Sequence, residues 1–375
     1  MPAPLEGLIV LDFSTLLPGP MATLFLAEAG AEVVKIERPG YGEEMRSYLQ
    51  KWGQDSINFA MLNRGKKSLA LDLKNDGDKA KLMPLLKRAD ILVEQFRPGV
   101  MDRLGLGYGA VSVCNPGLIY CSISGYGQSG PKRDVSGHDL NYTGDSGLLS
   151  LSMGPDDDPV IPPGLIADIA GGTYPAVLNI LLAVRERDRT GQGCYLDISM
   201  ADNLFPFLYW ALGNGLTTGQ WPRNRGELLT GGSPRYRLYS TADGYFVAAA
   251  PLEQKFWESF TQAIDLDPKW RDDRRDPQST ILRVREIIRA KTAAHWAPIL
   301  EKADCCCSIV KTLEQAMADP HFLARGLFHE RTTNDAGDVI AALPMPISTR
   351  FRAHMGAVLS APPLGANNEE LLSSG

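Results

Sequence analysis

Basic charge is in deficit: 38 Lys and Arg stand against 44 Asp and Glu, a formal net charge of −6. Neutralising a nucleic-acid backbone takes clustered cations in excess, so nucleic acid is not an expected partner. The segment Met1 to Gly7 has no basic stretch leading into an apolar core. No later run reaches the roughly 18 apolar residues of a spanning helix, so neither export nor membrane insertion is expected and the compartment is read as cytoplasmic. Histidines number only 5, and none of the 6 cysteines forms a Cys-x-x-Cys pair, so no metal site is expected. Cys305, Cys306 and Cys307 are consecutive, which suits disulfide geometry poorly, and they read as reduced packing residues. Also missing are a Gly-x-Gly-x-x-Gly after the first apolar run and a Walker lysine, which disfavours dinucleotide and P-loop enzymes.

What is present is a 375-residue chain with 44% hydrophobic and 22% charged residues, enough for two folded domains. Leu8 to Phe13, Glu32 to Glu37, Leu69 to Leu73, Ile91 to Glu94, Leu118 to Ser122 and Tyr195 to Ser199 read as strands. Helical patterns alternate with them: after a turn at Pro18-Gly19-Pro20, through Leu24, Leu26 and Ala27 to Gly30; from Asp76 to Arg88; and over the long apolar stretch Asp168 to Arg187. That alternation predicts an α/β fold with a mostly parallel sheet. Beyond it the texture changes. Trp210 to Pro234 is rich in Gly, Asn and Arg; Tyr236 to Ala250 alternates around Ala242-Asp243-Gly244, a hairpin signal; helices are expected over Glu253 to Ile264, Ser279 to Ala290 and Trp296 to Ala303. The organisation read from this is a large α/β domain at 1–200, a linker at 201–235, a smaller α+β domain at 236–326, a second linker at 327–345 and a closing segment at 346–375. Linkers of such length usually have a task, and wrapping a partner subunit is one. Asp156-Asp157-Asp158 reads as a solvated loop tip.

In open parallel sheets, ligands sit beyond the carboxyl ends of the strands. Asp168 stands ahead of the apolar helix, where a capping carboxylate is common. The small residues Ala170-Gly171-Gly172 behind it favour instead a close approach of another group to the backbone. His138, in Gly137-His138-Asp139-x-Asn141-Tyr142, follows the fifth strand on the ligand side, and histidine is the side chain best suited to proton transfer near neutrality. Arg38, Arg64, Lys66, Lys67, Lys74, Arg97 and Arg103 mostly follow strands; they are either plain surface or a set converging on a polyphosphate.

Ile36-Glu37-Arg38-Pro39-Gly40, Asn63 to Lys74 (NRGKKSLALDLK), Phe96-Arg97-Pro98-Gly99, Gly125 to Pro131 (GYGQSGP), Ala167 to Gly172 (ADIAGG) and Thr190-Gly191-Gln192-Gly193 follow one another through nearly the whole chain. In that order they resemble the family III CoA-transferase and racemase superfamily. The resemblance implies a Rossmann-like large domain rejoined by the C-terminus, a small domain, an interlocked homodimer and an acyl-CoA thioester bound at its interface, with no cofactor beyond that coenzyme A. By position it assigns Arg38, Leu73, Lys74, Arg97 and Arg103 to the nucleotide part of CoA and Asp168 to the catalytic aspartate. The stretch Gly137 to Tyr142 resembles the α-methylacyl-CoA racemase branch, and Glu253 falls where that branch places a glutamate paired with the histidine. Two reactions follow from one site. Racemisation would use His138 and Asp168 on opposite faces of the α-carbon, with enolate donors from the helix opening at Asp168; CoA transfer would use Asp168 as a nucleophile and have no need of His138.

Overall fold

The computed structural model describes residues 2–152, 154 and 159–373, so Asp156-Asp157-Asp158 lies outside the described residues. The chain divides into two compact units, one of Met1–Ser146, Pro163–Pro206 and Pro320–Gly375, the other of Gly147–Pro162 and Phe207–Asp319.

The first unit carries β1 (Ile9–Asp12), β2 (Glu32–Glu37), β3 (Lys67–Ala70), β4 (Ile91–Glu94), β5 (Ile119–Ser124) and β6 (Tyr195–Ser199). They form a 6-stranded sheet in the order β3-β2-β1-β4-β5-β6, parallel throughout. Its helices include α1 (Pro18–Glu28), α2 (Ile57–Asn63), α3 (Asp76–Arg88), α4 (Val100–Arg103), α5 (Tyr108–Cys114), α6 (Asp139–Asp145) and α7 (Tyr174–Thr190). Because strand side chains alternate, β5 serves two cores. Ile119, Cys121 and Ile123 pack with Ala176 and Ile180 of α7, while Tyr120 packs with Leu82, Leu85 and Leu86 of α3. A sheet buried on both faces explains why its strands are nearly continuous apolar runs. The strand order reverses direction between β1 and β4, which opens a crevice at their carboxyl ends.

Two local expectations are corrected. The third strand lies earlier than Leu69 to Leu73, because its partner β2 ends at Glu37, opposite Ala70. The helix expected from Asp168 opens as a π-helical turn, Ala167–Thr173, which continues into α7. Asp168 is therefore inside the first turn and is not its cap; Ile166 holds the capping position. Gly171 lets this turn pack against the chain after β6: a Cβ there would lie 2.3 Å from the carbonyl oxygen of Met200. Among the described residues, Ala167–Thr190 is the helix long and apolar enough to cross a membrane by length and composition. Here Ala176, Ile180 and Ala183 are spent in the core beneath the sheet.

The second unit contains the expected hairpin, Arg237–Ser240 against Phe246–Ala249, joined by an antiparallel strand Cys307–Ile309. Helices Gln254–Ala263, Pro277–Arg289 and Ala293–Ala303 cover it, with Trp257, Phe260, Val284 and Trp296 in the core. Only Cys305 of the cysteine triplet is a buried packing residue; Cys306 is exposed and Cys307 half-buried.

Candidate active site

A cleft of about 480 Å³ occupies the crevice of the first unit, lined by Leu16 and Pro18 after β1, Gln95 to Pro98 after β4, Ser124 to Tyr126 at the end of β5, Met200 after β6, and His138 and Asp168. Both candidate proton carriers thus face one space from separate elements. His138 is the residue before α6, with its backbone N–H bonded to Asn141 Oδ1 at 3.0 Å. Tyr142, one turn along, buries its ring over Gly137, where a Cβ would meet the ring at 2.7 Å, and donates its hydroxyl to the Gly137 carbonyl at 2.5 Å. A side chain at position 137 would push the histidine turn off that ring.

Burial, then the negative charge of Asp139, pushes the Asp168 carboxyl up to about 6, against the opposing influence of His138. A carboxyl held there takes and releases a proton near neutral pH. The donors for an enolate differ from those read off the sequence. The Asp168 N–H is already given to Asp139 Oδ1 at 3.0 Å. Ser124 Oγ, also lining the cleft, is buried and without a partner among the described residues.

Arg97 lines the same cleft and donates to Ser136 Oγ at 2.8 Å. Arg38 follows β2, Leu73 and Lys74 follow β3, and Arg103 closes α4 beyond β4, so all four stand on the carboxyl edge of the sheet, and Arg38, Lys74 and Arg103 are exposed there. They do not line the cleft of His138 and Asp168. Glu253 lies in the second unit, exposed at the start of helix Gln254–Ala263.

Arg64 and Lys66 do not belong to a ligand surface. Lys66 Nζ is fully buried, with four acceptors for its three N–H groups: Asp12 Oδ2, Pro20 O, Thr23 Oγ1 and Asn63 Oδ1 at 3.0, 2.9, 2.8 and 2.8 Å. Arg64 is turned inward onto Glu28 and the carbonyl of Leu343. Asp12 also accepts from the Ser14 backbone at 2.9 Å, and Lys35 bonds the Ser14 carbonyl at 2.9 Å and pairs with Glu43. This network anchors the loop after β1, one wall of the cleft, from beneath.

Two carboxylates escaped the sequence reading. Asp139 was visible only as a neighbour of His138, since its partner lies 29 residues away. Glu94 ends an apolar strand, where an acid signals a special environment. Burial pushes it up to about 7 despite bonds from Ser122 and the Phe96 N–H, and the latter, at 2.8 Å, holds the turn that carries Arg97.

A family model described as CoA-transferase family III matches residues 5–368. The chain is 34% identical to the human α-methylacyl-CoA racemase over 376 residues, 98% of this chain and 92% of that protein. It is 33% identical to the acetyl-CoA:oxalate CoA-transferase of Acetobacter aceti over 333 residues, 86% of this chain and 85% of that one. A solved CaiB/BaiF family protein from Brucella suis superposes with a TM-score of 0.81 at 26% identity, covering 100% of both chains.

Proposed function

Because the chain belongs to CoA-transferase family III, we propose that it is an acyl-CoA enzyme that racemises 2-methylacyl-CoA thioesters by moving the α-proton through an enolate. The observation that carries this reading is the placement of His138 and Asp168 in one cleft, on different elements, with Asp168 poised to change charge near pH 6. The thioester carbonyl acidifies the α-C–H. One of the pair removes the proton from one face, the other returns a proton to the opposite face, and they exchange roles in the reverse direction. Ser124 lines the cleft, and its Oγ, buried and without a partner among the described residues, is the donor proposed for the developing enolate oxygen. The nucleotide part of CoA is assigned to Arg38, Leu73, Lys74, Arg97 and Arg103, whose cations suit its phosphates. The chemistry as written needs no group beyond the coenzyme A of the substrate.

A second reading is CoA transfer, favoured by the similarity to the Acetobacter aceti transferase. There Asp168 attacks the thioester carbonyl to give an acyl anhydride and CoA thiolate; the thiolate then attacks the aspartyl carbonyl, releasing the donor acid and leaving an aspartyl-CoA thioester from which the acceptor acid takes CoA by the reverse steps. The two part in deuterated water. Racemisation places deuterium at the α-carbon of a 2-methylacyl-CoA with no acceptor acid present; transfer shows no such exchange, depends on the acceptor and leaves a trappable adduct on Asp168. Mass spectrometry of the recovered thioester decides, and the second pattern overturns the racemase reading.

The proposal includes a homodimer in which Glu253 supports the charge of His138. Its basis in the first unit is the outer face of α7, where Tyr174, Leu178, Leu181 and Leu182 are 44%, 59%, 42% and 59% exposed. An apolar helical stripe of this kind marks an interaction surface. Light scattering is expected to give twice the chain mass at micromolar concentration, and Leu178→Lys with Leu182→Lys is expected to lower it; a folded wild-type monomer removes the dimer from the proposal.

A further inference from the structure

Asp139 opens α6 directly after His138, and its Oδ1 accepts the backbone N–H of Asp168 at 3.0 Å. This bond joins the element that presents one proton carrier to the turn that presents the other. The next N–H of that turn, from Ile169, is bonded to Leu165 O at 3.0 Å. The Asp168 N–H, one of the donors a helix start leaves without an intrahelical acceptor, depends on Asp139 alone among the described residues. On the reading of the previous section, we infer that Asp139 is a positioning residue, which sets the separation of His138 and Asp168 through its bond to the Asp168 backbone. A second role follows from its negative charge beside that carboxyl.

The carboxylate also sits in the first turn of α6, where the helix N-terminus favours negative charge. Its charge follows burial among the causes that raise Asp168. Besides Asp168, the charged or titratable groups lining the cleft are His138 just before α6, Tyr142 in α6, Tyr126 after β5, and Arg97 and Arg133 from the facing loops; Pro18 from α1 and Met200 after β6 bring no charge. Asp139 is thus the one carboxylate whose removal lowers the proton affinity of Asp168 from α6 itself.

The two roles separate by substitution. Asp139→Asn keeps an oxygen for the Asp168 N–H and removes the charge; Asp139→Ala removes both. In α-deuterium exchange followed against pH, the limb along which rate rises as Asp168 ionises is expected to move to lower pH by about one unit in both variants. Asp139→Asn should lose less than about tenfold in plateau rate, and Asp139→Ala about 10²-fold, the loss typical of a misplaced catalytic group. Circular dichroism checks that each variant is folded, and Asp139→Asn carries the test by its limb if Asp139→Ala does not fold. An unmoved limb in Asp139→Asn, or a plateau in folded Asp139→Ala equal to wild type, overturns the inference. If wild type transfers CoA without exchanging the α-proton, the racemase reading fails separately, and the same limb and plateau criteria apply to the transfer rate, which also needs Asp168 ionised.

Discussion

His138→Ala is expected to lower α-proton exchange by about 10²- to 10⁴-fold, the range for removing a general acid–base group, while leaving CoA binding intact. The binding assignment falls on side chains outside α6, so a thermal shift with CoA should survive in the variant. Asp168→Asn is expected to fall as far, for a different reason: the amide preserves shape but neither accepts nor delivers the proton. The pH dependence has a definite sign. In the direction where Asp168 removes the proton it must be ionised, so the rate rises as pH passes through about 6; in the direction where it donates, it must be protonated, so the rate declines above the same value. No α-proton exchange in wild type, with acceptor-dependent turnover near normal in His138→Ala and lost in Asp168→Asn, is the pattern of transfer chemistry and counts against racemisation.

The strands of the first unit were legible because a sheet covered on both faces demands apolar runs, as in Ile9–Asp12 and Ile91–Glu94. Their parallel pairing followed from the helices between them. The crevice, and with it His138 and Asp168, followed from the rule that open sheets bind ligands at strand carboxyl ends. What stayed hidden depended on contacts between distant segments. The turn holding Asp168 packs Gly171 against the Met200 carbonyl, a meeting no local pattern encodes. The bond from Asp168 to Asp139 is of the same kind.

Arg64 and Lys66 mislead for a related reason. A cation after a helix and before a strand reads equally as surface or as a ligand contact, and only the folded chain brings Asp12 and Glu28 against it. Charge identity is local information; charge partnership is not. The same holds for Glu94, whose strand position was plain but whose raised proton affinity required knowing that burial outweighs its bonds from Ser122 and Phe96.

Lys66→Met is expected to destabilise the protein by about 3–5 kcal/mol, the cost of breaking a buried ion pair from one side. The Lys66 and Asp12 side chains are both 0% exposed, and although burial pulls Lys66 down to about 8 against the charge of Asp12, it is still charged at pH 7. Methionine fills the stem volume without the charge, so the loss falls on Asp12, which keeps Lys35 at 4.0 Å and its hydroxyl and backbone donors but gives up its contact at 3.0 Å. Thr23, Asn63 and the Pro20 carbonyl lose a donor at the same time. Against the 5–15 kcal/mol of a typical domain, this brings the variant close to unfolding. Denaturant titration at pH 7 should show the midpoint lowered with an unchanged slope. Were Lys66 instead a phosphate contact, the variant would keep its midpoint and lose affinity for CoA, so measuring both on the same preparation separates an internal brace from a ligand contact.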